Sequence, residues 1–154
     1  METWDAWFAA VEAWQPVMAL RASTWVYPLV SWLHLLGIGL LFGTIAVVDL
    51  RLAGGLLRLD DAAVQQTLVP LSLGGFVLAL LSGLLLFAPA AREYLSNPWF
   101  AAKLALIGTA ALNALALHLA SRRRRDPRHA RLAGVLSLGL WATVLLAGRM
   151  LAFG

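Results

Sequence analysis

Apolar residues run along this chain in long blocks separated by short polar breaks. A membrane-spanning helix needs about 20 mostly apolar residues. Four blocks supply them, at about 25–48, 68–88, 98–120 and 132–153. The blocks are rich in Leu and Ala and show no alternation of period two, so helices rather than strands are expected. The connections are short, which predicts that consecutive helices are antiparallel neighbours. The pattern reads as an all-α protein: an integral-membrane four-helix bundle that fills residues 22–154 as one domain.

The first 21 residues differ. In "METWDAWFAAVEAWQPVMALR", Trp4, Trp7, Phe8, Val11 and Trp14 recur at helical spacing, with Asp5 and Glu12 between them. The segment lacks the basic start and continuous apolar run of a signal peptide. It predicts an amphipathic helix lying in the membrane interface with its indoles at headgroup depth, interrupted at Pro16. It either anchors the bundle end or covers a site there.

Composition strengthens the membrane reading. The 154 residues are 61% hydrophobic and 13% charged, more apolar side chain than a soluble domain of this size can hide. No cysteine is present, which excludes disulfides, thiolate metal sites and iron–sulfur clusters. The net charge is +4, and half of the twelve basic residues lie in "SRRRRDPRHAR", at Arg122 to Arg125, Arg128 and Arg131. Such a run between two apolar blocks marks a cytoplasmic loop rather than a nucleic-acid surface. Arg51 and Arg58 fall in the other cytoplasmic connection, which places both termini and "AREYLSN" outside. The localisation expected is a bacterial inner membrane.

Ionisable residues inside a bilayer are costly and are functional candidates. At a rise of 1.5 Å per residue, His34 lies about 13 Å below Trp25 and Lys103 about 6 Å below Trp99. The last helix returns Arg149 to the same outer end. His34, Lys103 and Arg149 thus share a level, on three different helices. Asp49 and Arg51 close the first span at the inner face, His118 closes the third, and Asn113 lies between the levels. His34 and His118 differ in depth by about 15 Å, which disfavours a single haem ligated by both.

Each residue has a structural alternative. His34 can hydrogen-bond a Ser, Thr or carbonyl of a neighbouring helix. His118, Lys103 and Arg149 can snorkel or cap helix ends. Asp49 and Arg51 can pair with each other or with the loop. Gly39 and Gly43 have the spacing of a close helix contact. Gly134, Trp141 and Arg149 share a face of the last helix, a packing pattern. The functional alternative rests on convergence. A neutral imidazole ligates iron, an apolar bundle holds a macrocycle, and two cations near the surface neutralise propionates. This predicts haem b with His34 as the metal ligand and Lys103 and Arg149 at the propionates. His118 is either a cap or the ligand of a second centre.

The segments "TWVYPLVSWLHLLGIGLLFGTIAVVDLRLAG", "LSGLLLFAPAAREYLSNPWFAAKLALIGTAALNALALH" and "ARLAGVLSLGLWATVLLAGRMLAFG" carry a resemblance. Their motifs are His34 followed by Asp49 to Leu52; Glu93, Tyr94, Asn97, Phe100 and Lys103; Asn113 and His118; and Trp141, Gly148 and Arg149. The chain resembles, over nearly all of its length after Ala22, a bacterial family of four-helix inner-membrane proteins whose domain has no assigned function. More distantly, His34 and "PWFAAK" resemble the HemJ-type protoporphyrinogen oxidase, the copper-resistance D proteins and cytochrome b561-like bundles. That likeness implies haem or porphyrin binding and quinone-linked redox chemistry at His34 and Lys103.

The function expected is therefore a small b-type haem or porphyrin-binding redox protein. Its expected partners are the lipid bilayer, a quinone or a larger membrane redox complex, and a second copy of the chain. The alternative is a non-enzymatic accessory or assembly subunit that packs against a larger membrane complex.

Overall fold

The structure, a computed structural model, describes residues 2–54, 60, 64–120 and 127–151. These are helical almost throughout, with no strand among the described residues. Two short helices, α1 (Glu2–Glu12) and α2 (Gln15–Ala22), precede the first long one, α3 (Val26–Leu52). A π-helical turn at Val64–Leu68 leads into α4 (Val69–Phe87). A 3₁₀ turn (Ala88–Ala90) joins α4 to the short α5 (Ala91–Ser96), and α6 (Pro98–Ala120) and α7 (Pro127–Leu151) complete the chain. The four long helical stretches are long and apolar enough to cross a membrane, which fits a multi-pass membrane protein. Their many exposed Leu and Val side chains suit lipid as solvent.

Proline sets the helix boundaries. Pro98 and Pro127 occupy the first position of α6 and α7, Pro16 and Pro70 the second of α2 and α4, and Pro28 the third of α3. Except at Pro70, which the π-helical turn precedes without a break, their missing N–H groups fall where a helix has no internal acceptor to offer. Pro16 therefore starts α2 rather than ending α1. Ser23 caps α3: its Oγ accepts the Val26 N–H at 3.0 Å. Gly54 closes α3 with φ +80°, and its N–H donates to Arg51 O at 3.1 Å. That left-handed position suits a residue without Cβ.

Several boundaries differ from the sequence reading. The first span continues four residues past 48, so Asp49 and Arg51 lie in its last turn, as residues that close the helix should, and Arg51 belongs to the helix rather than to the connection. The last helix begins at Pro127, five residues before 132. "AREYLS" is helix, not loop. A neighbouring carboxylate makes this short helix possible. Glu12 Oε1 accepts the Arg92 backbone N–H at 2.9 Å, while Oε2 accepts Nε of the same residue at 2.9 Å. Glu12 thus caps α5 from another helix.

The chain packs as two compact units. The first holds residues 1–41 and 73–97, the second residues 42–72 and 98–154. In the first, α3 and α4 run antiparallel and nearly touch. A Cβ added at Gly37 would lie 2.6 Å from Ala79 N, and one at Gly75 would lie 2.6 Å from Leu41 N. Small residues let the backbones meet where no hydrophobic force drives helices together in lipid. Gly39 and Gly43, expected at such a contact, have nothing within 4 Å. Phe8 meets Phe87 edge-on and Phe87 stacks on Tyr94, both at 6.2 Å, so α1 seats on this unit through Phe8 while Trp4, Trp7 and Trp14 remain exposed.

In the second unit α6 and α7 are antiparallel, with Lys103 beside Gly148. The end of α3 packs on α7, where a Cβ at Gly134 would lie 2.7 Å from Asp49 O. The buried stripe of α7 is Gly134, Ser137, Trp141, Val144 and Ala147. Arg149 is off this stripe and exposed, so it does not share the face of Gly134 and Trp141.

Candidate functional site

The first unit answers what an imidazole is doing in an apolar helix. His34 Nδ1 lies 2.8 Å from Ala79 O and 3.2 Å from Ser82 Oγ, both on α4. The Ser82 hydroxyl donates to Leu78 O at 2.5 Å. Its proton is thereby committed, and Ser82 Oγ faces Nδ1 as an acceptor. Both neighbours of Nδ1 are then acceptors, so Nδ1 carries the hydrogen. In the neutral ring this makes Nε2 the nitrogen with the lone pair. The ring also packs on glycine: a Cβ at Gly83 would lie 3.0 Å from His34 Cε1. Helix α4 offers one small face for all of this, with Gly75, Ala79, Ser82 and Gly83 spaced by four, three and one.

The other expected site residues fall elsewhere. Lys103 and Arg149 belong to the second unit, and His34 to the first. Lys103 is half-buried, with Nζ 3.5 Å from where a Gly148 Cβ would sit. A Cβ there would make only ordinary contact with the lysine side chain, so Gly148 marks the neighbour of Lys103 without being needed to make room for it. His118 lies in α6, but its side chain is outside the described residues, as are Arg58 and Arg122 to Arg125. Arg131 is described: its Nε lies 2.8 Å from where a Gly54 Cβ would sit.

Asp49 corrects the sequence reading. It does not pair with Arg51 at a helix end. It is buried, 3% exposed, and hydrogen-bonds Ser137 of α7. Ser137, 2% exposed, was not anticipated, although Gly134, Ser137 and Trp141 carry the three-and-four spacing of one helix face. Ser82 was missed in the same way.

At the end of the first unit that carries α1 and α2, Glu12, Arg21, Pro89, Ala90, Arg92 and Glu93 line a cleft of about 220 Å³. Its charges balance. Arg21 Nη1 donates to Pro89 O at 3.3 Å, and Arg92 Nη2 pairs with Glu12 at 2.8 Å. The hydrogen bonds from Arg92, helped by its charge, hold the Glu12 carboxyl below its ordinary value. Arg92 and Glu12 are spent on one another and Arg21 is tied to the Pro89 carbonyl, contacts that seat the N-terminal helices against α5 and the 3₁₀ turn.

Among the described residues, no three or more His, Cys, Asp or Glu come together as a metal-binding group. A zinc-type site therefore has no ligand set there. Haem iron asks for less, since the macrocycle supplies four nitrogens and the protein one or two ligands. No protein-family model, curated protein or solved structure matches the chain. The resemblance drawn above thus rests on the quoted motifs.

Proposed function

We propose that this chain is a small b-type haem or porphyrin-binding redox protein of a bacterial inner membrane, with His34 as the axial ligand. One observation carries the reading: the Nδ1–H of His34 is engaged by Ala79 O at 2.8 Å. A metal-ligating histidine almost always donates its other ring N–H to a carbonyl, carboxylate or water. That bond fixes the ring's orientation and raises the basicity of Nε2. The ring is half-buried and packs against Gly83 of α4. A haem, when bound, supplies one-electron chemistry, exchanged with a quinone or a larger membrane complex. Lys103 and Arg149 remain candidates for holding an anionic group, and the arginines of the 122–131 connection orient that loop to the cytoplasm.

The same hydrogen bond favours a second reading. An imidazole bonded to a backbone carbonyl across two helices also serves as a tie, as an accessory subunit without a cofactor would use it. Absorbance separates the two. Protein purified from haem-sufficient cells should show a Soret band that His34→Ala removes. A colourless wild type that stays colourless with added hemin rejects the cofactor and leaves the tie.

A further inference from the structure

Among the described residues, the second unit contains three buried polar atoms without a hydrogen-bond partner: Asp49 Oδ2, Asn113 Nδ2 and Trp141 Nε1. Asp49 and Trp141 are 3% and 4% exposed. Buried polar groups are otherwise paired almost without exception, so three in one unit need an explanation. Helix register puts them at neighbouring levels. Counting ten residues along each antiparallel helix from the Lys103–Gly148 pair puts Asn113 level with Leu138. Asp49 bonds Ser137, the residue before it. Asp49, Ser137 and Asn113 therefore lie at one level on three helices. Trp141 is one turn away on the same buried stripe of α7, about 6 Å along the axis.

The unmet chemistry is specific. The carboxylate oxygen is an acceptor, while the amide and indole nitrogens are donors. A metal cation would meet two N–H groups, and an anion would meet a carboxylate. A group that both donates and accepts satisfies all three. We propose that Asp49, Asn113 and Trp141 form a binding site for one hydroxyl group. The guest O–H donates to Asp49 Oδ2, and its oxygen accepts from Trp141 Nε1–H and Asn113 Nδ2–H. Ser137 holds the other side of the carboxylate and keeps Oδ2 turned to the guest. The same chemistry is offered by an ordered water and by the hydroxyl of a lipid-soluble phenol. The site lies in the second unit and does not depend on the reading of His34.

The test uses the full chain in detergent micelles with ¹⁵N-labelled tryptophan, the Trp141 indole signal being assigned by its loss in Trp141→Phe. Two arms identify the source. The first looks for magnetisation transfer between water and the Trp141 N–H in the protein alone. The second titrates a short-chain alkylphenol beside its methyl ether, which keeps the ring and lacks the O–H. Water transfer, or a saturable shift with the phenol and not the ether, supports the site and names its guest. In either case Asp49→Asn and Asn113→Leu should each reduce the effect several-fold. Neither transfer nor shift, or equal shifts with phenol and ether and no water transfer, overturns the proposal. Asn113→Leu keeps the test open if Asp49→Asn fails to fold, because it puts an apolar side chain at a half-buried helical position and leaves the buried carboxylate in place.

Discussion

A single methyl group at Gly37 should pry α3 from α4. Its Cβ would lie 2.6 Å from Ala79 N and 3.0 Å from both Ala79 Cα and Gly75 O. All three are backbone atoms, so no side chain can swing away. Ordinary contact begins near 3.4 Å, so the helices must part locally by about 0.8 Å. The His34 Nδ1···Ala79 O distance, 2.8 Å in the native protein, would stretch to about 3.6 Å and cease to be a hydrogen bond. Overpacking of this kind costs about 1–3 kcal/mol, and an interhelical hydrogen bond in a membrane protein contributes about 0.6 kcal/mol. Gly39→Ala is the control, because nothing lies within 4 Å of its added Cβ. Both variants share the gain in helix propensity, about 0.5–1 kcal/mol. Gly37→Ala should therefore be less stable than Gly39→Ala by about 1.5–3.5 kcal/mol. Unfolding by SDS in mixed micelles, followed by circular dichroism, measures the difference. Equal midpoints for the two variants would refute the close approach and the hydrogen bond that depends on it.

Three further outcomes are expected. Gly134→Val should destabilise the second unit by about 1–3 kcal/mol in the same assay, since its side chain would run into Asp49 O at 2.7 Å. Lys103→Met should raise the unfolding midpoint, because an aliphatic chain of similar length replaces a half-buried ammonium; a fall would show that the ammonium is bound in the folded protein. The Glu12 carboxyl is held below its ordinary value, so its capping of α5 contributes fully above the ordinary carboxylate range and is lost as pH falls through the lowered value. Hydrogen exchange at Arg92 and Glu93 should accelerate on that acidification in the wild type and be pH-insensitive, beyond intrinsic exchange, in Glu12→Gln.

Much of the fold was legible because lipid solvation leaves a coarse signature. Blocks of about 20 apolar residues bounded by Pro, Arg and Gly read directly as helices, and Pro98 marked the start of α6 to the residue. Helix ends were harder. Asp49 and Arg51 looked like an interfacial stop, yet α3 carries them on for another turn and buries the carboxylate against Ser137. Charge alone cannot tell a residue that ends a helix from one that a partner helix satisfies. Helix contacts were harder still. Gly39 and Gly43 have the spacing of a contact pair and face nothing, while Gly37 and Gly75 make the contact. In an all-apolar helix every face is greasy, so hydrophobic periodicity does not reveal which one is inside. His34 drew attention as a costly residue, and the expected alternative, a Ser, Thr or carbonyl of a neighbouring helix, is what it meets; which residues these are was not legible, because one is a backbone carbonyl, which every residue has, and the other one serine among several. The small-residue stripe of Gly75, Ala79 and Ser82 was the available clue.

The proposed role of His34 is to offer Nε2 as a ligand nitrogen. Titrating purified protein with hemin, and following the Soret band, tests it most directly when His34→Gly is measured with and without free imidazole. The wild type should show one saturable site, His34→Gly should lose it, and imidazole filling the space the side chain left should restore it. Binding in His34→Gly that matches the wild type, or no binding in either protein, would contradict it.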